Sequence, residues 1–379
     1  MILQLAVIIL LLSILVILHE LGHFLAAKLT KVRVEEFGLG YPPLAKKLFT
    51  WKGTLFTLNW IPFGGFVKLE GEMGEEAVDE STTKSKPEIK DGLEGPFYTK
   101  SASARLFVIL AGAATNLLVG IIAFTIVFSV SGIPLLEARI SQIAPNSPAA
   151  QANIPINVNV IELKFANQTI STLTTQEVIT AVSEHRGEEV TIVTTGSCQQ
   201  LNCDDARQEF TAKIRTAAET PANEGALGIT FNSTIFFPWY EMPWRAGWYG
   251  ILQTIALIQL TLFSLGQMIA NLVVHRVVPA DVTGPVGIVY QTYKMNVVKE
   301  GLLSILNYSG LISVSLAIMN VLPIPALDGG RAVFILLEKV IGKSRSMKLE
   351  SVVTYGGYIF LLALIILVTI RDIANIIKG

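Results

Sequence analysis

Of the 379 residues, 51% are hydrophobic and only 16% are charged, with a formal net charge of −1. Soluble domains carry about 25% charged residues, so this deficit, combined with long apolar runs, excludes an ordinary soluble globule and points to a membrane protein. The near-zero charge gives no electrostatic case for a nucleic-acid partner, and two cysteines are too few to staple a fold of this length.

The chain opens with MILQLAVIILLLSILVIL, which lacks the basic start and small-residue cleavage site of a signal peptide and runs on unbroken through Ala27. Crossing hydrocarbon takes about 20 apolar residues, so residues 2–27 are predicted to be a retained transmembrane helix. Residues 52–69, KGTLFTLNWIPFGGFVKL, alternate aromatic or β-branched residues with polar ones around Pro-Phe-Gly-Gly, which predicts a β-hairpin. Residues 70–96 are acidic, Lys-rich and poor in large apolar groups, and read as a mobile linker. A second span is predicted over 104–132. Residues 134–232 carry short strand-like runs (RISQI, NVNVIEL, EVTIV, EFTAKI) and two helical stretches, enough for one compact α+β domain. Within it, Cys198 and Cys203 flank QQLN as either a local disulfide or two free thiols.

Residues 246–275 are long and apolar, yet Gln253, Ser264, Gln267 and Asn271 share one helical face, as suits an interfacial helix. Two further spans are predicted at 302–322 and 352–370. Positive charge marks the cytoplasmic side. Lys28, Lys31, Arg33, Lys46 and Lys47 follow the first span, and Arg331, Lys339, Lys343, Arg345 and Lys348 precede the last. Both groups are cytoplasmic only if an even number of crossings separates them. The stretch at 246–276 is therefore expected to lie along the membrane, with the N-terminus, the 134–232 domain and the C-terminus facing outward. The expected fold class is an α-helical integral membrane protein of four transmembrane helices. It falls into regions 1–133, 134–232, 246–276 and 302–379, with a membrane-associated β-hairpin in the first.

The chemistry is concentrated in the first span, where His19, Glu20 and His23 form His-Glu-x-x-His. On a helix, positions i and i+4 share a face, so both imidazoles reach one ion, and the glutamate between them sits near the water on that ion. Two histidines bonded to a neighbouring helix would be the alternative. Ionisable groups at mid-bilayer cost about 2.5–3.5 kcal/mol each on insertion scales and are functional by default, which favours zinc. Catalytic zinc needs three protein ligands. His185 lies in the charged run SEHRGEE, and His275 borders Arg276 at a helix end. The better third ligand is Asp328 in MNVLPIPALDGGRAV, where Pro323 and Pro325 break the helix and Gly329 and Gly330 let the backbone turn. An acid on unwound backbone at membrane depth belongs beside a cavity. His19 lies about 26 Å along the first span at 1.5 Å per residue. The span at 302–322 runs the same way and ends just before Asp328, so both arrive near the cytoplasmic third.

HELGHFLAAKLTKVRVEEFGLGYPP, FTLNWIPFGGFVKLEGE, KSASARLFVILAGAATN, GPVGI and NVLPIPALDGGR, in that order, resemble the successive signatures of the site-two proteases. The likeness is in particular to the bacterial enzymes of the regulator-of-sigma-E protease type. The resemblance implies an intramembrane zinc metalloprotease. By it, His19, His23 and Asp328 are the zinc ligands and Glu20 activates water. Asn320 and Pro323 would lie near the substrate strand. The hairpin with Gly64, Gly65 and Phe66 would be a membrane re-entrant loop offering an edge to an unwound substrate. The 134–232 domain would be PDZ-like and extracytoplasmic. The same resemblance implies the plasma (inner) membrane of a bacterium, a single-span membrane protein as substrate, and an earlier cut by a site-1-type protease. An anti-sigma factor or a signal-peptide remnant would be such a substrate. Gly112-Ala113 stands where the family has Gly-Pro, so no role is assigned to Asn116. Rival readings are a catalytically inactive PDZ-containing scaffold, which would work without metal, and a zinc transporter, which would want further ligands along other spans.

Overall fold

The computed structural model describes residues 2–72, 95–171, 174–199, 202–204, 206–221, 224–271, 274, 284–294 and 297–378. Most of the expected 70–96 linker, and His275, lie outside them. The chain divides into two compact units, residues 125–249 and the remainder (1–124 with 250–379), each described by itself.

In the larger unit, α1 (Ile2–Leu29) is a single 28-residue helix, about 42 Å long at 1.5 Å per residue and sufficient to cross hydrocarbon. It ends where Lys31 takes a left-handed φ of 57°, and Lys28 in its last turn complements the helix dipole. Next, α2 (Ala102–Ser131) starts with the Ser101 hydroxyl accepting from the Ala104 N–H at 3.3 Å. The two helices approach backbone to backbone: a Cβ on Gly22 would overlap both Thr115 and the Ala111 carbonyl. Later come α6 (Pro285–Lys294), α7 (Leu302–Val321), α8 (Asp328–Ile341) and α9 (Lys343–Lys378). The Asp372 carboxylate of α9 accepts from the Gly284 and Gly287 N–H groups at 3.0 and 2.7 Å, capping the start of α6.

The hairpin is larger than expected, and its turn falls elsewhere. Strands β1 (Val34–Trp51) and β2 (Thr54–Leu69) reverse at Lys52-Gly53, with φ of 46° and 75°, a two-residue turn of the primed kind. Pro62–Gly65, read from sequence as the turn, lies inside β2. Both strands fold over on themselves. Glu36–Leu39 pairs on one side with Leu55–Leu58 and on the other with Gly65–Lys68, while Leu44–Trp51 pairs with Thr54–Asn59. The result is a four-segment sheet in which Gly65–Lys68 is an edge. Thr54 Oγ1 donates to the Val34 carbonyl at 2.9 Å, and Asn59 Nδ2 to the Gly40 carbonyl at 3.2 Å. The core beneath joins Phe24, Val34, Phe37, Leu69, Val108 and Ile335.

The smaller unit is an antiparallel sheet over β3 (Ile133–Ile143), β4 (Asn159–Lys164), β6 (Glu189–Thr194), β9 (Gln208–Lys213) and β10 (Ile229–Ile235). Its order is β10-β3-β4-β6-β9, with β5 (Thr169–Ser171) beside β4. Helices α3 (Pro148–Gln151) and α4 (Thr175–Glu184) belong to it, over a core of Ile140, Val160, Leu163, Val178, Ile192 and Ile214. Cys198 and Cys203 form a disulfide across the two-residue strands β7 (Cys198–Gln199) and β8 (Asn202–Cys203), which settles the open alternative. Thr174 and Glu177 form a reciprocal capping box at the start of α4. The Thr174 N–H and then its hydroxyl hold the Glu177 carboxyl below its ordinary pKa. A depressed carboxyl stabilises above its unfolded pKa and ceases to as the pH falls through its folded one. Thr174→Ala is therefore expected to weaken hydrogen-exchange protection of the Val178–Val182 amides roughly fivefold at neutral pH. The difference from the unsubstituted protein should narrow in acid, where the carboxylate's part is lost and only the bond from the Glu177 N–H to the Thr174 hydroxyl remains to be removed.

Among the described residues five helices are long and apolar enough to cross a membrane: α1, α2, α7, α9 and α5 (Met242–Ala270). Each of the four expected spans thus falls on a helix of sufficient length and hydropathy. The stretch expected to lie along the surface is one unbroken 29-residue helix that also has the length and hydropathy of a span. The chain is a multi-span helical membrane protein with a separate β-rich unit.

Candidate metal centre

His19 and His23 fall one turn apart on α1, and α2 fixes how each ring sits. His23 Nδ1–H donates to the Val108 carbonyl of α2 at 2.8 Å, which leaves its Nε2 bare. The Asn116 amide of α2 lies 3.3 Å from His19 Nδ1, and the Asn116 carbonyl accepts from Ser313 Oγ of α7 at 2.8 Å. Between them, a Cβ on Gly112 would stand 2.7 Å from His19 Nε2 and closer still to His23.

Asp328 arrives from the far end of the sequence. Gly329 and Gly330 let α8 begin directly against the end of α7, since a Cβ on either would overlap carbonyl oxygens of Val321, Leu322 or Ile324. This sets Asp328 Oδ2 3.0 Å from His19 Nε2 and 3.3 Å from His23 Nε2, while the two Nε2 atoms are 3.1 Å apart. The three donors form the one cluster of metal-ligand type among the described residues.

These groups fit a tetrahedral divalent cation. At bond lengths of about 2.0–2.1 Å, tetrahedral ligand atoms stand roughly 3.3 Å apart, close to what is found. Two bare imidazole nitrogens at 3.1 Å repel unless a proton or cation lies between them. Asn116 Oδ1 is buried with no hydrogen-bond partner. Turning that amide over would let Oδ1 accept from His19 Nδ1–H. That satisfies the orphan atom and leaves His19 Nε2 bare as well, the outer support that ligating histidines characteristically have.

The other expected residues lie around this centre. Glu20 Oε2 accepts from the Val67 N–H at 3.1 Å, so the sheet edge touches the glutamate of the motif. A Cβ on Gly64 would stand 3.0 Å from Val16, and one on Gly65 3.5 Å from Ile17, so both glycines face α1 one turn before His19. The Phe66 ring covers Gly38. Asn320 is half-buried in the last turn of α7, and Pro323 is exposed in the loop after it. No hydrogen bond joins Asn320 to the three donors among the described residues. His185 is remote from the centre, stacked on Phe165 and 3.2 Å from Glu188.

Sequence reasoning assigned no role to Gly112 or Asn116 and did not single out Val108. The available signal was Asn116, an amide in an otherwise apolar span. Gly112→Ala is expected to push the imidazoles apart and lower metal affinity by ~10–100-fold, as loss of outer support does. Metal content after dialysis against buffered zinc would check this.

Residues 7–364 match the profile of peptidase family M50. A relative in Clostridium acetobutylicum is 28% identical over 365 residues, covering 95% of this chain and 94% of its own. One in Clostridium perfringens is 30% identical over 365 residues, covering 95% and 96%. Both are named, provisionally, as zinc metalloproteases. The zinc metalloprotease RasP of Oceanobacillus iheyensis is 27% identical over 437 residues, covering 97% and 98%. With its histidine pair and distant aspartate gathered inside an apolar helical unit, the chain belongs to peptidase family M50, the site-two protease family of membrane zinc metalloproteases.

Proposed function

We propose that the protein binds zinc through His19, His23 and Asp328 and hydrolyses a peptide bond of single-span membrane proteins within the bilayer. The observation that carries this reading is the meeting of three ligand atoms within 3.3 Å beside a sheet edge that touches Glu20. Bound zinc would supply the Lewis acidity that makes water a nucleophile near neutral pH. Glu20 accepts the proton of that water and delivers it to the leaving nitrogen. Its Oε2 is held by Val67 N–H, and its other oxygen makes no hydrogen bond among the described residues. A transmembrane helix hides its carbonyls in hydrogen bonds. The Gly65–Lys68 edge offers an unwound substrate an alternative strand partner, with Gly64 and Gly65 set against α1 and the Phe66 ring over Gly38. Asn320, at the end of α7, and Pro323, in the loop after it, would flank the same approach.

The basic residues that follow the first span and precede the last support a centre toward the cytoplasm of a bacterial plasma membrane and an extracytoplasmic 134–232 domain. A disulfide in that unit agrees with an oxidising compartment. An even number of crossings then leaves α5 along the membrane surface. An outward PDZ-like unit suits a substrate already shortened by a site-1-type protease.

In vesicles with a single-span reporter protein, cleavage should cease on removal of zinc by a chelator and return on adding zinc. Metal-indifferent behaviour would favour the scaffold alternative. Zinc flux without cleavage would favour a transporter.

A further inference from the structure

A cavity of about 210 Å³ lies between the exit of β2 (Glu72), the start of α2 (Arg105), α8 (Arg331) and α9 (Glu350, Thr354, Tyr355). Its walls are unevenly charged. Arg331 is held between Glu72 and Glu350, the latter at 3.3 Å. Arg105 pairs through both terminal nitrogens with Glu338. Glu338 stands behind Arg105 and not on the wall; it neutralises that arginine, while Arg331 is shared by the two lining carboxylates Glu72 and Glu350. Glu350 is the weakly held member, since that 3.3 Å approach is its one hydrogen bond among the described residues.

Two polar atoms of the lining residues, Arg105 Nε and Thr354 Oγ1, are buried without a hydrogen-bond partner. Buried polar atoms in folded proteins almost always have one. The cavity therefore lacks an acceptor for Arg105, and Glu350, which shares the Arg331 cation with Glu72, has one oxygen without a donor among the described residues. Its aromatic wall already suits cations, for the Arg105 and Arg331 guanidinium groups lie 6.0 and 5.8 Å from the centre of the Phe97 ring. Ala326, also on the wall, is two residues from Asp328. At most about 7 Å of backbone separates them, so a peptide lying at the metal centre reaches the cavity within a few residues.

We propose that this cavity is a substrate subsite for a lysine or arginine residue on the cytoplasmic flank of the substrate's membrane span. The proposal rests on the proteolysis reading above. Single-span proteins carry Lys and Arg on that flank. Such a residue supplies both missing partners: its cation meets Glu350, and its own peptide carbonyl accepts from Arg105 Nε–H. The aliphatic stem lies along Tyr355. Water in the cavity would satisfy the same polar atoms but would give no preference for charge.

The test uses the full-length protein in vesicles with three single-span substrates that differ at one flank residue, Lys, Met or Glu. That residue is moved through four successive positions. At one or two positions kcat/KM should favour Lys over Met by ~10-fold, with Glu lower still. In Glu350→Gln the Lys-to-Met ratio should fall to near one. Equal cleavage of all three by the unsubstituted protein overturns the subsite and leaves proteolysis standing. So does a ratio unchanged in Glu350→Gln. Cleavage of none of them removes the proteolysis reading and the subsite together. Should Glu350→Gln fail to fold, Tyr355→Leu takes its place, and an undiminished ratio there overturns the subsite too.

Discussion

Glu20→Gln is expected to lower peptide hydrolysis by about a thousandfold while leaving zinc content at that of the unsubstituted protein. Glutamine keeps the shape of the side chain and can still accept from the Val67 N–H that Glu20 Oε2 meets at 3.1 Å. What it cannot do is take a proton from water, and general-base assistance contributes typically 10²–10⁴-fold. Glu20 is not among the three clustered ligand atoms, so nothing in the metal's own shell changes. Zinc analysis and a cleavage time course on one preparation separate the two effects. A Glu20→Gln protein that cuts at the normal rate would remove Glu20 from the chemistry, whatever the metal does.

Asp328→Ala should behave differently, losing metal and activity together. It deletes the oxygen that stands 3.0 and 3.3 Å from the two imidazole nitrogens, leaving two ligands where catalytic zinc has three. A structural site of four ligands is worth about 10–16 kcal/mol. One ligand is then worth roughly 3 kcal/mol, or more than a hundredfold in affinity. Zinc binding by Asp328→Ala equal to that of the unsubstituted protein would mean that the aspartate is a neighbour and not a ligand. Comparing the two variants therefore distinguishes proton transfer from coordination, which a simple loss of cleavage would not.

How far the sequence could be read differs from element to element. The apolar runs that became α1, α2, α7 and α9 were legible because length and hydropathy mark a helix able to cross a membrane, a measure that α5 meets as well. Both histidines and Asp328 were legible because charge in lipid is costly enough to demand a reason. The hairpin was legible only in kind. Its first strand, VEEFGLGYPPLAKKLFTW, contains Pro42-Pro43 and two glycines, which local rules read as loop. Only tertiary pairing, with Glu36–Leu39 flanked on both sides, makes it a strand. That mistake moved the turn from Lys52-Gly53 to Pro62–Gly65. Gly112 and Asn116 escaped for a related reason. Their importance comes from which helix α2 faces, and no periodicity within α2 encodes that.

His19 and the aspartate it meets are 309 residues apart in the sequence. A ribosome making this chain inserts the histidine helix into the bilayer long before the matching acid exists. Until translation passes Asp328 and α8 folds back, the nascent chain carries no complete cation cradle. Neighbouring membrane proteins are thus spared a half-made hydrolase during its own biogenesis, and a product truncated anywhere before that point is inert.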